Sequence, residues 1–357
     1  MERETYAKQK IFAGEKRESM NRRLQDHDYT DRMMYMVTMV VEGRRELFGR
    51  VLGRSDAPEG SNDAPRIQLS ELGSRVSDEW WGIPRYYPQV EIIALQLMPD
   101  HLHGILFVKE KMHCDLSRVI RGFKTGCNRA YRQLFPAVAP PVPSVAPPVP
   151  SVATQSQPTA PRPKDDRIHG LLFARGFNDK VLLRRGQLER WINYLHDNPR
   201  RLLLRREHPD FFRVQRGIAL GPYTFSAIGN RFLLQRPVCL QVQCSRHLYQ
   251  PEIDALCQRY LEAARQGAVL VSPCISEGEK QIMRAAFEEG HPEIILLKEG
   301  FSDMAKPGGR RIDACARGQL LLLAPWEHHN ERLPLTRSEC LQLNAMAEHI
   351  CQGRRLE

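Results

Sequence analysis

Two histidines separated by one leucine, His101 and His103, are the residues of this chain best suited to chemistry. They lie in an apolar run over residues 92–108 that predicts a buried strand, and side chains alternate between the two faces of a strand. Both imidazoles then fall on one face, where they could belong to the first shell of a divalent metal ion. The alternative is a pair of core histidines satisfied by hydrogen bonds, but two on one face favour the metal site.

A tyrosine and an amide form a second candidate pair. Residues 186–199 predict an amphipathic helix that is stopped by Pro199. Tyr194 and Asn198 are four residues apart, so they share one helix face and are available together to something outside the helix. The alternative is a half-buried tyrosine followed by an ordinary helix stop.

A basic helix is predicted between these two segments, where apolar residues recur at helical spacing over 116–135. The chain has a net charge of +10, and residues 111–214 carry 19 Lys and Arg against 8 Asp and Glu. A polyanion such as nucleic acid is the partner that fits this basic zone, although basic runs are also common on solvated surfaces. Five cations fill the other helix faces: Arg118, Arg121, Lys124, Arg129 and Arg132.

The chain is long enough for two domains. A flexible leader is expected over 1–30, and a first domain over 31–215 is interrupted by a proline-rich, disordered insertion at 136–164. Apolar strands alternate with helices over 216–357, which predicts a smaller α/β domain with a parallel sheet, a Rossmann-like three-layer sandwich. Polar loop residues after those strands make a nucleotide a candidate ligand there.

The location is predicted from composition and from the cysteines. The first residues are not a signal peptide, and no apolar run approaches the length of a membrane span, so no membrane partner is expected. The nine cysteines are scattered without a CxxC pair, which favours reduced thiols in a bacterial cytoplasm over disulfides or a zinc site.

The motifs Leu97–His103, Gly176–Asp179 and Tyr194–Pro199 occur in this order, with the basic helix after the first of them. Together they resemble the single-tyrosine HUH transposases, specifically the REP-associated tyrosine transposase group, over about residues 30–215. The resemblance implies an α+β HUH fold, with a ferredoxin-like (RRM-like) antiparallel sheet and helices. It leaves the last 140 or so residues unexplained.

The resemblance also implies site roles and partners. His101, His103 and Asn198 would be ligands of Mn²⁺ or Mg²⁺, and Tyr194 would be the nucleophile that leaves a 5′-phosphotyrosine on cleaved DNA. The DNA would be single-stranded, of hairpin repeats, with its backbone held by the five cations of the basic helix. Family members act as homodimers or as monomers, and the sequence does not choose between them.

Four alternatives stay open at this point. Tyr131 on the basic helix is a rival nucleophile, although no amide follows it at four residues. A barrel-type metal hydrolase also opens with His-x-His, but the later histidines and the number of strands do not fit it. The chain could be a domesticated, non-catalytic DNA-hairpin-binding regulator. The principal activity could also be nucleotide binding by the C-terminal domain.

Overall fold

The computed structural model describes residues 27–136, 172–302, 305–328 and 334–352. The chain divides into two compact units, Met1–Arg200 and Arg201–Glu357, whereas the domain boundary predicted from the sequence lies between residues 215 and 216. Most of the predicted leader and all of the predicted proline-rich insertion except Pro136 lie outside the described residues.

The first unit is an α+β fold built on an antiparallel sheet, as predicted. Its strands are β1 (Met33–Val40), β2 (Gly49–Leu52), β3 (Arg66–Leu69), β4 (Val90–Met98), β5 (His101–Val108) and β6 (Asn178–Val181). The antiparallel sheet has the strand order β4-β5-β1-β6, while β2 and β3 form a separate two-stranded sheet. Its helices are α1 (Glu71–Trp81), α2 (Ile83–Tyr86), α3 (Leu116–Leu134) and the start of α4 (Gln187–Glu207), with a 3₁₀ turn at Glu42–Arg44.

The two faces of strand β5 have different partners. Leu102 and Leu106 belong to a large core that also contains the apolar sides of α1 and α3. Gly104 lies on that same face, where an added Cβ would overlap the indole ring of Trp80. His101, His103 and Ile105 alternate with these residues and therefore lie on the opposite face.

Helix α4 runs past the proline that was predicted to end it. Pro199 lies inside the helix, which continues to Glu207. A proline in a helix removes one backbone N–H and costs about 3 kcal/mol. Leu195 before it and Leu204 after it are both buried, and such burial contributes about 1.5–3 kcal/mol for each leucine. The apolar contacts on both sides of Pro199 therefore offset the lost hydrogen bond.

The second unit contains six strands and five helices among the described residues. The strands are β7 (Gln215–Leu220), β8 (Tyr223–Gly229), β9 (Cys239–Gln241), β10 (Val269–Ser272), β11 (Glu293–Leu296) and β12 (Leu320–Ala324). The helices are α5 (Pro209–Phe212), α6 (Gln250–Arg265), α7 (Glu277–Glu289), α8 (Arg311–Ala316) and α9 (Arg337–Ile350), with a 3₁₀ turn at Arg231–Gln235.

The six strands form one sheet in the order β7-β8-β12-β11-β10-β9. Strands β9 to β12 are parallel, and β7 and β8 continue the sheet antiparallel. Helices α6, α7 and α8 line the core on one face, and α9 lines the core on the other.

Candidate active site

The two histidines lie side by side on strand β5. Their ring centroids are 4.9 Å apart and the ring planes are nearly perpendicular. His103 pairs with Thr38 of β1 in the sheet register, and His101 pairs with Val40. The strand therefore presents two imidazoles on one face, as the alternation of side chains predicts.

Each imidazole has a hydrogen-bond partner at its Nδ1 atom. Nδ1 of His103 lies 2.8 Å from Oγ1 of Thr38, and Nδ1 of His101 lies 2.5 Å from Oδ1 of Asp100. An ionised carboxylate only accepts hydrogen bonds, so His101 donates through Nδ1, and Nε2 is the ring nitrogen that this contact does not use. Such partners fix the orientation of metal-binding histidines. Thr38 and Asp100 were not predicted as site residues, although Asp100 directly precedes His101 in sequence.

The electrostatic environment sets the charges of these groups. Burial lowers the pKa of His103 to about 3, and the neighbouring His101 and Lys180 act in the same direction. Burial would raise the pKa of Asp100, but its hydrogen bonds with His101 and Arg44 bring it down to about 2. At neutral pH, His103 is therefore an uncharged imidazole, which is the form that binds a metal ion.

Tyr194 lies against the histidine face. Helix α4 packs there through Leu195, which contacts the cluster of Met36 and Ile105. The Tyr194 ring lies edge-on to the His103 ring, with centroids 5.6 Å apart. The structure thus brings the predicted nucleophile and a predicted metal ligand together within one chain.

Trp191 packs against Tyr194, and Lys180 packs against Trp191, although neither was predicted as a site residue. The Trp191 ring is edge-on to the Tyr194 ring at 5.4 Å. The ammonium nitrogen of Lys180 lies 4.9 Å from the centre of the Trp191 ring. Lys180 is therefore held against the indole by a cation–π contact, and its charge acts on His103.

Asn198 is the remaining predicted ligand. It is 6% exposed, and its buried Nδ2 atom has no hydrogen-bond partner among the described residues. It lies one helical turn after Tyr194 on α4. An unmet amide N–H donor is a group that a bound water or phosphate oxygen would satisfy, while Oδ1 is the atom that could bind a metal ion.

These residues fit a divalent metal ion by their chemistry. Two imidazole nitrogens and an amide oxygen are ligands that manganese and magnesium sites use, with remaining positions for water or phosphate. The part of the chain that the structure describes contains no cluster of three His, Cys, Asp or Glu side chains suited to a metal. Asn198 is then the candidate for a third protein ligand.

The basic helix lies on the other side of the sheet from the histidines. The apolar face of α3 packs into the core that contains Leu102 and Leu106. Arg118, Arg121, Arg129 and Arg132 are exposed on it. The structure therefore does not bring these four arginines to the face on which His103 and Tyr194 meet.

Lys124, the fifth cation predicted to contact DNA, differs from these four arginines. Its ammonium group donates hydrogen bonds to the carbonyl oxygens of Ala174, at 2.9 Å, and Gly176, at 2.6 Å. Burial lowers its pKa to about 8. Lys124 thus connects α3 to the segment before β6, and this use of its donors competes with the predicted contact to DNA.

Tyr131, the rival nucleophile, is buried on α3 in the same core. Its hydroxyl accepts a hydrogen bond of 2.9 Å from Arg45. It lies on the opposite face of the sheet from His103, so the structure favours Tyr194 as the tyrosine beside the histidines.

In the loop before α7, where a nucleotide was predicted to bind, side chains of the chain itself already accept the hydrogen bonds of the backbone N–H groups. Oγ of Ser276 accepts a hydrogen bond from the backbone N–H of Glu279. The Glu279 carboxylate accepts hydrogen bonds from the backbone N–H groups of Ile275 and Ser276. A phosphate would need these N–H groups at the start of α7, so the nucleotide stays a prediction without a preformed phosphate site.

None of the described helices is both long enough and apolar enough to cross a bilayer.

No family model matches the sequence. The chain is 31% identical over 101 residues to a protein of Haemophilus influenzae described as uncharacterized, and the match covers 28% of this chain. The chain therefore spans about half the length of this curated relative, of which 50% is covered.

Three solved structures are similar to parts of the chain. The REP-associated tyrosine transposase bound to a REP hairpin has a TM-score of 0.30 at 14% identity, and the match covers 50% of this chain and 72% of that one. A protein from Deinococcus radiodurans assigned as a transposase has a TM-score of 0.27 at 14% identity, with coverages of 49% and 98%. DNA processing protein A from Helicobacter pylori, described as binding single-stranded DNA, has a TM-score of 0.30 at 16% identity, with coverages of 39% and 66%.

Proposed function

We propose that this chain is a metal-dependent, single-tyrosine HUH nuclease and transposase that cleaves and rejoins single-stranded DNA. The observation that carries the proposal is the meeting of Tyr194 with His103 on the face of β5 that also holds His101. A phenol beside two oriented imidazoles is the arrangement that covalent cleavage of a phosphodiester needs. The HUH assignment of the first unit and the Rossmann-like assignment of the second belong to this proposal.

The metal ion would be Mn²⁺ or Mg²⁺, held by His101, His103 and Asn198. When bound, it would neutralise charge on the non-bridging oxygens of a phosphodiester, which otherwise repels nucleophiles. Thr38 and Asp100 hold the two imidazoles so that their Nε2 atoms are available. Burial keeps His103 uncharged without the ion.

Tyr194 would be the nucleophile. Its Oη atom forms a bond to phosphorus while the bond from phosphorus to the 3′-oxygen breaks. The phenol loses its proton to solvent, and the departing 3′-oxygen gains one. The product is a 5′-phosphotyrosine and a free 3′-hydroxyl, and attack by a 3′-hydroxyl on that linkage rejoins DNA and restores the phenol. Lys180 supplies positive charge near the reacting groups.

The partner in this proposal is single-stranded DNA, folded as a repeat hairpin. Tyr194 and His103 meet within one chain, so the site needs no exchange of α4 between subunits. A homodimer is compatible with the proposal but not required by it. Arg118, Arg121, Arg129 and Arg132 lie away from the site, where they could hold flanking DNA by its phosphates.

The proposal is tested by incubating the full chain with Mn²⁺ and labelled hairpin DNA, then separating the products on a denaturing gel. We expect a covalent protein–DNA band with the wild type and with Tyr131→Phe, but none with Tyr194→Phe. Tyr131→Phe is the matched control because it removes the hydroxyl of a tyrosine on the other face of the sheet. Tight hairpin binding without a covalent band in any variant would overturn the proposal in favour of a non-catalytic hairpin-binding protein.

A further inference from the structure

The second unit presents an exposed aromatic ring beside arginines. Phe232 lies in the 3₁₀ turn Arg231–Gln235 and is 66% exposed. It lines a concave pocket of about 410 Å³ near the amino-terminal ends of β11 and β12. The pocket, called here the Phe232 pocket, is lined by Asn230, Phe232, Leu233, Arg236, Pro292, Arg317, Gly318 and Gln319. None of these residues is acidic.

The local structure holds Phe232 outward. Oδ1 of Asn230 accepts a hydrogen bond of 3.0 Å from the backbone N–H of Phe232, and Nδ2 of Asn230 donates to the carbonyl oxygen of Gly318 at 2.8 Å. Leu233, the next residue of the turn, is buried in the core. The turn is therefore anchored by one buried side chain and one bridging amide, and the exposed ring is not a consequence of a loose segment.

The arginines of the pocket differ in how they are held. Nε of Arg317 donates a hydrogen bond of 2.8 Å to Oε1 of Gln319, whose Nε2 in turn donates to the carbonyl oxygen of Gly290. This leaves the two terminal nitrogens of Arg317 as donors for a ligand. The guanidinium group of Arg236 has no hydrogen bond or ion pair to another side chain in the described ranges. The pocket thus holds two positive charges that no carboxylate in its lining neutralises.

We propose that the Phe232 pocket binds single-stranded DNA, with one base stacked on Phe232 and the flanking phosphates on Arg236 and Arg317. An exposed aromatic ring combined with cations is the pattern that binds single strands without sequence preference. Bases within a duplex are already stacked, so a lone ring is of use only for an unpaired base. The choice of DNA as the strand rests on the proposed function, and the pocket would bind it outside the site at Tyr194.

The test measures binding of the full chain to a fluorescent, unstructured oligothymidylate by anisotropy, with a chelator present so that no cleavage occurs. Loss of a stacked base costs about 1–3 kcal/mol, so we expect Phe232→Ala to raise the Kd about 5- to 150-fold. Phe232→Tyr keeps the ring and should bind like the wild type. Tyr249→Ala is the matched control, because Tyr249 is 79% exposed in the same unit and should not affect binding.

The arginines give a second readout. Each lost phosphate contact should reduce the slope of log Kd against log salt concentration by about 1. We expect this reduction for Arg236→Ala and for Arg317→Ala, but not for the exposed Arg231→Ala. An unchanged Kd in Phe232→Ala together with unchanged salt slopes would overturn the inference.

The two proposals can fail separately. A covalent band that depends on Tyr194, with no effect of Phe232→Ala on oligothymidylate binding, would leave the proposed function standing and reject the Phe232 pocket. Weaker oligothymidylate binding by Phe232→Ala without any covalent band would support the pocket and reject cleavage by Tyr194.

Discussion

Oγ1 of Thr38 lies 2.8 Å from Nδ1 of His103, at directly paired positions of two neighbouring antiparallel strands. The sheet register therefore fixes the orientation of this imidazole, because a one-residue shift of either strand would turn its own side chain to the other face, away from the partner. A hydrogen bond at Nδ1 leaves Nε2 as the nitrogen that could bind a metal ion.

Thr38→Val keeps the shape of the side chain and removes this hydrogen-bond partner. Loss of such a partner commonly costs 10- to 100-fold in metal affinity, and we expect a loss of about that size when Mn²⁺ binding is measured by calorimetric titration. Thr125→Val is the matched control, because the Thr125 hydroxyl donates to the Arg121 carbonyl on the exposed side of α3. Equal Mn²⁺ affinity in both variants would show that Thr38 does not support a metal ligand.

For Asn198, metal ligation can be distinguished from a purely structural role in the same way. Its Nδ2 atom has no partner in the described part of the chain, so Asn198→Ala should change the stability of the metal-free protein little. If Asn198 ligates the ion, the same variant should lose most of its Mn²⁺ affinity, while Asn198→Asp should keep it or bind more tightly. The exposed Asn193, on the same helix, supplies the control Asn193→Ala. A marked loss of stability with unchanged Mn²⁺ affinity would contradict the assigned role.

The sequence predicted the parts of the site that depend on local periodicity. Alternation along a strand placed His101 and His103 on one face, and helical spacing placed Tyr194 with Asn198. It could not predict that α3 lies on the other face of the sheet. That arrangement depends on long-range packing, in which Phe123 of α3 meets the Trp80 ring that lies over Gly104, and no local pattern encodes it.

The polar partners of the site escaped prediction for a related reason. Thr38 reaches His103 through pairing of strands that are 65 residues apart in sequence. Lys124 was predicted to contact DNA because it is a cation on a basic helix, but two carbonyl groups from a distant segment accept its hydrogen bonds. Helix α4 continues through Pro199 because tertiary burial outweighs the local cost of proline.

Gly104→Ala should destabilise the first unit. The added methyl group would overlap the ring of Trp80, which is fully buried. Overpacking of this kind costs about 1–3 kcal/mol, which denaturant unfolding followed by tryptophan fluorescence would detect. Gly308→Ala is the control, because a Cβ there meets nothing within 4 Å.

The cause of that destabilisation is testable with a second substitution. Trp80→Phe removes the benzo ring of the indole that the new methyl group would meet. The cost of Gly104→Ala should therefore be smaller in the Trp80→Phe background than in the wild type. Equal costs in the two backgrounds would mean that the contact with Trp80 is not the source of the strain.

Glu293 on β11 makes the stability of the second unit depend on pH. The residue is 1% exposed, and both carboxylate oxygens lack a hydrogen-bond partner among the described residues. Burial raises its pKa to about 8, although the charge of Arg311 opposes this shift. The folded chain therefore keeps a proton on Glu293 over a range of pH in which the unfolded chain has released it.

The sign of the effect follows from proton linkage. From the ordinary pKa of 4.5 up to about 8, the folded state binds more protons than the unfolded state, so the free energy of unfolding falls as the pH rises. Below this range the contribution of Glu293 does not vary with pH. The loss can approach about 1.4 kcal/mol for each pH unit within the range. A glutamine at this position cannot ionise. Glu293→Gln should therefore lose less stability than the wild type between pH 5 and pH 8, which is roughly the interval between the unfolded and folded pKa values of Glu293.

The measurement is the thermal midpoint of the full chain at the two pH values. Glu348→Gln, at an exposed position of α9, controls for the loss of one carboxylate and should show the same pH dependence as the wild type. At the upper pH, Glu293→Gln should have a higher thermal midpoint than the wild type, because it no longer carries a buried carboxyl group that must either ionise or hold its proton. If Glu293→Gln and the wild type lost the same stability between the two pH values, Glu293 would have to be ionised in the folded chain, with a partner that compensates its charge.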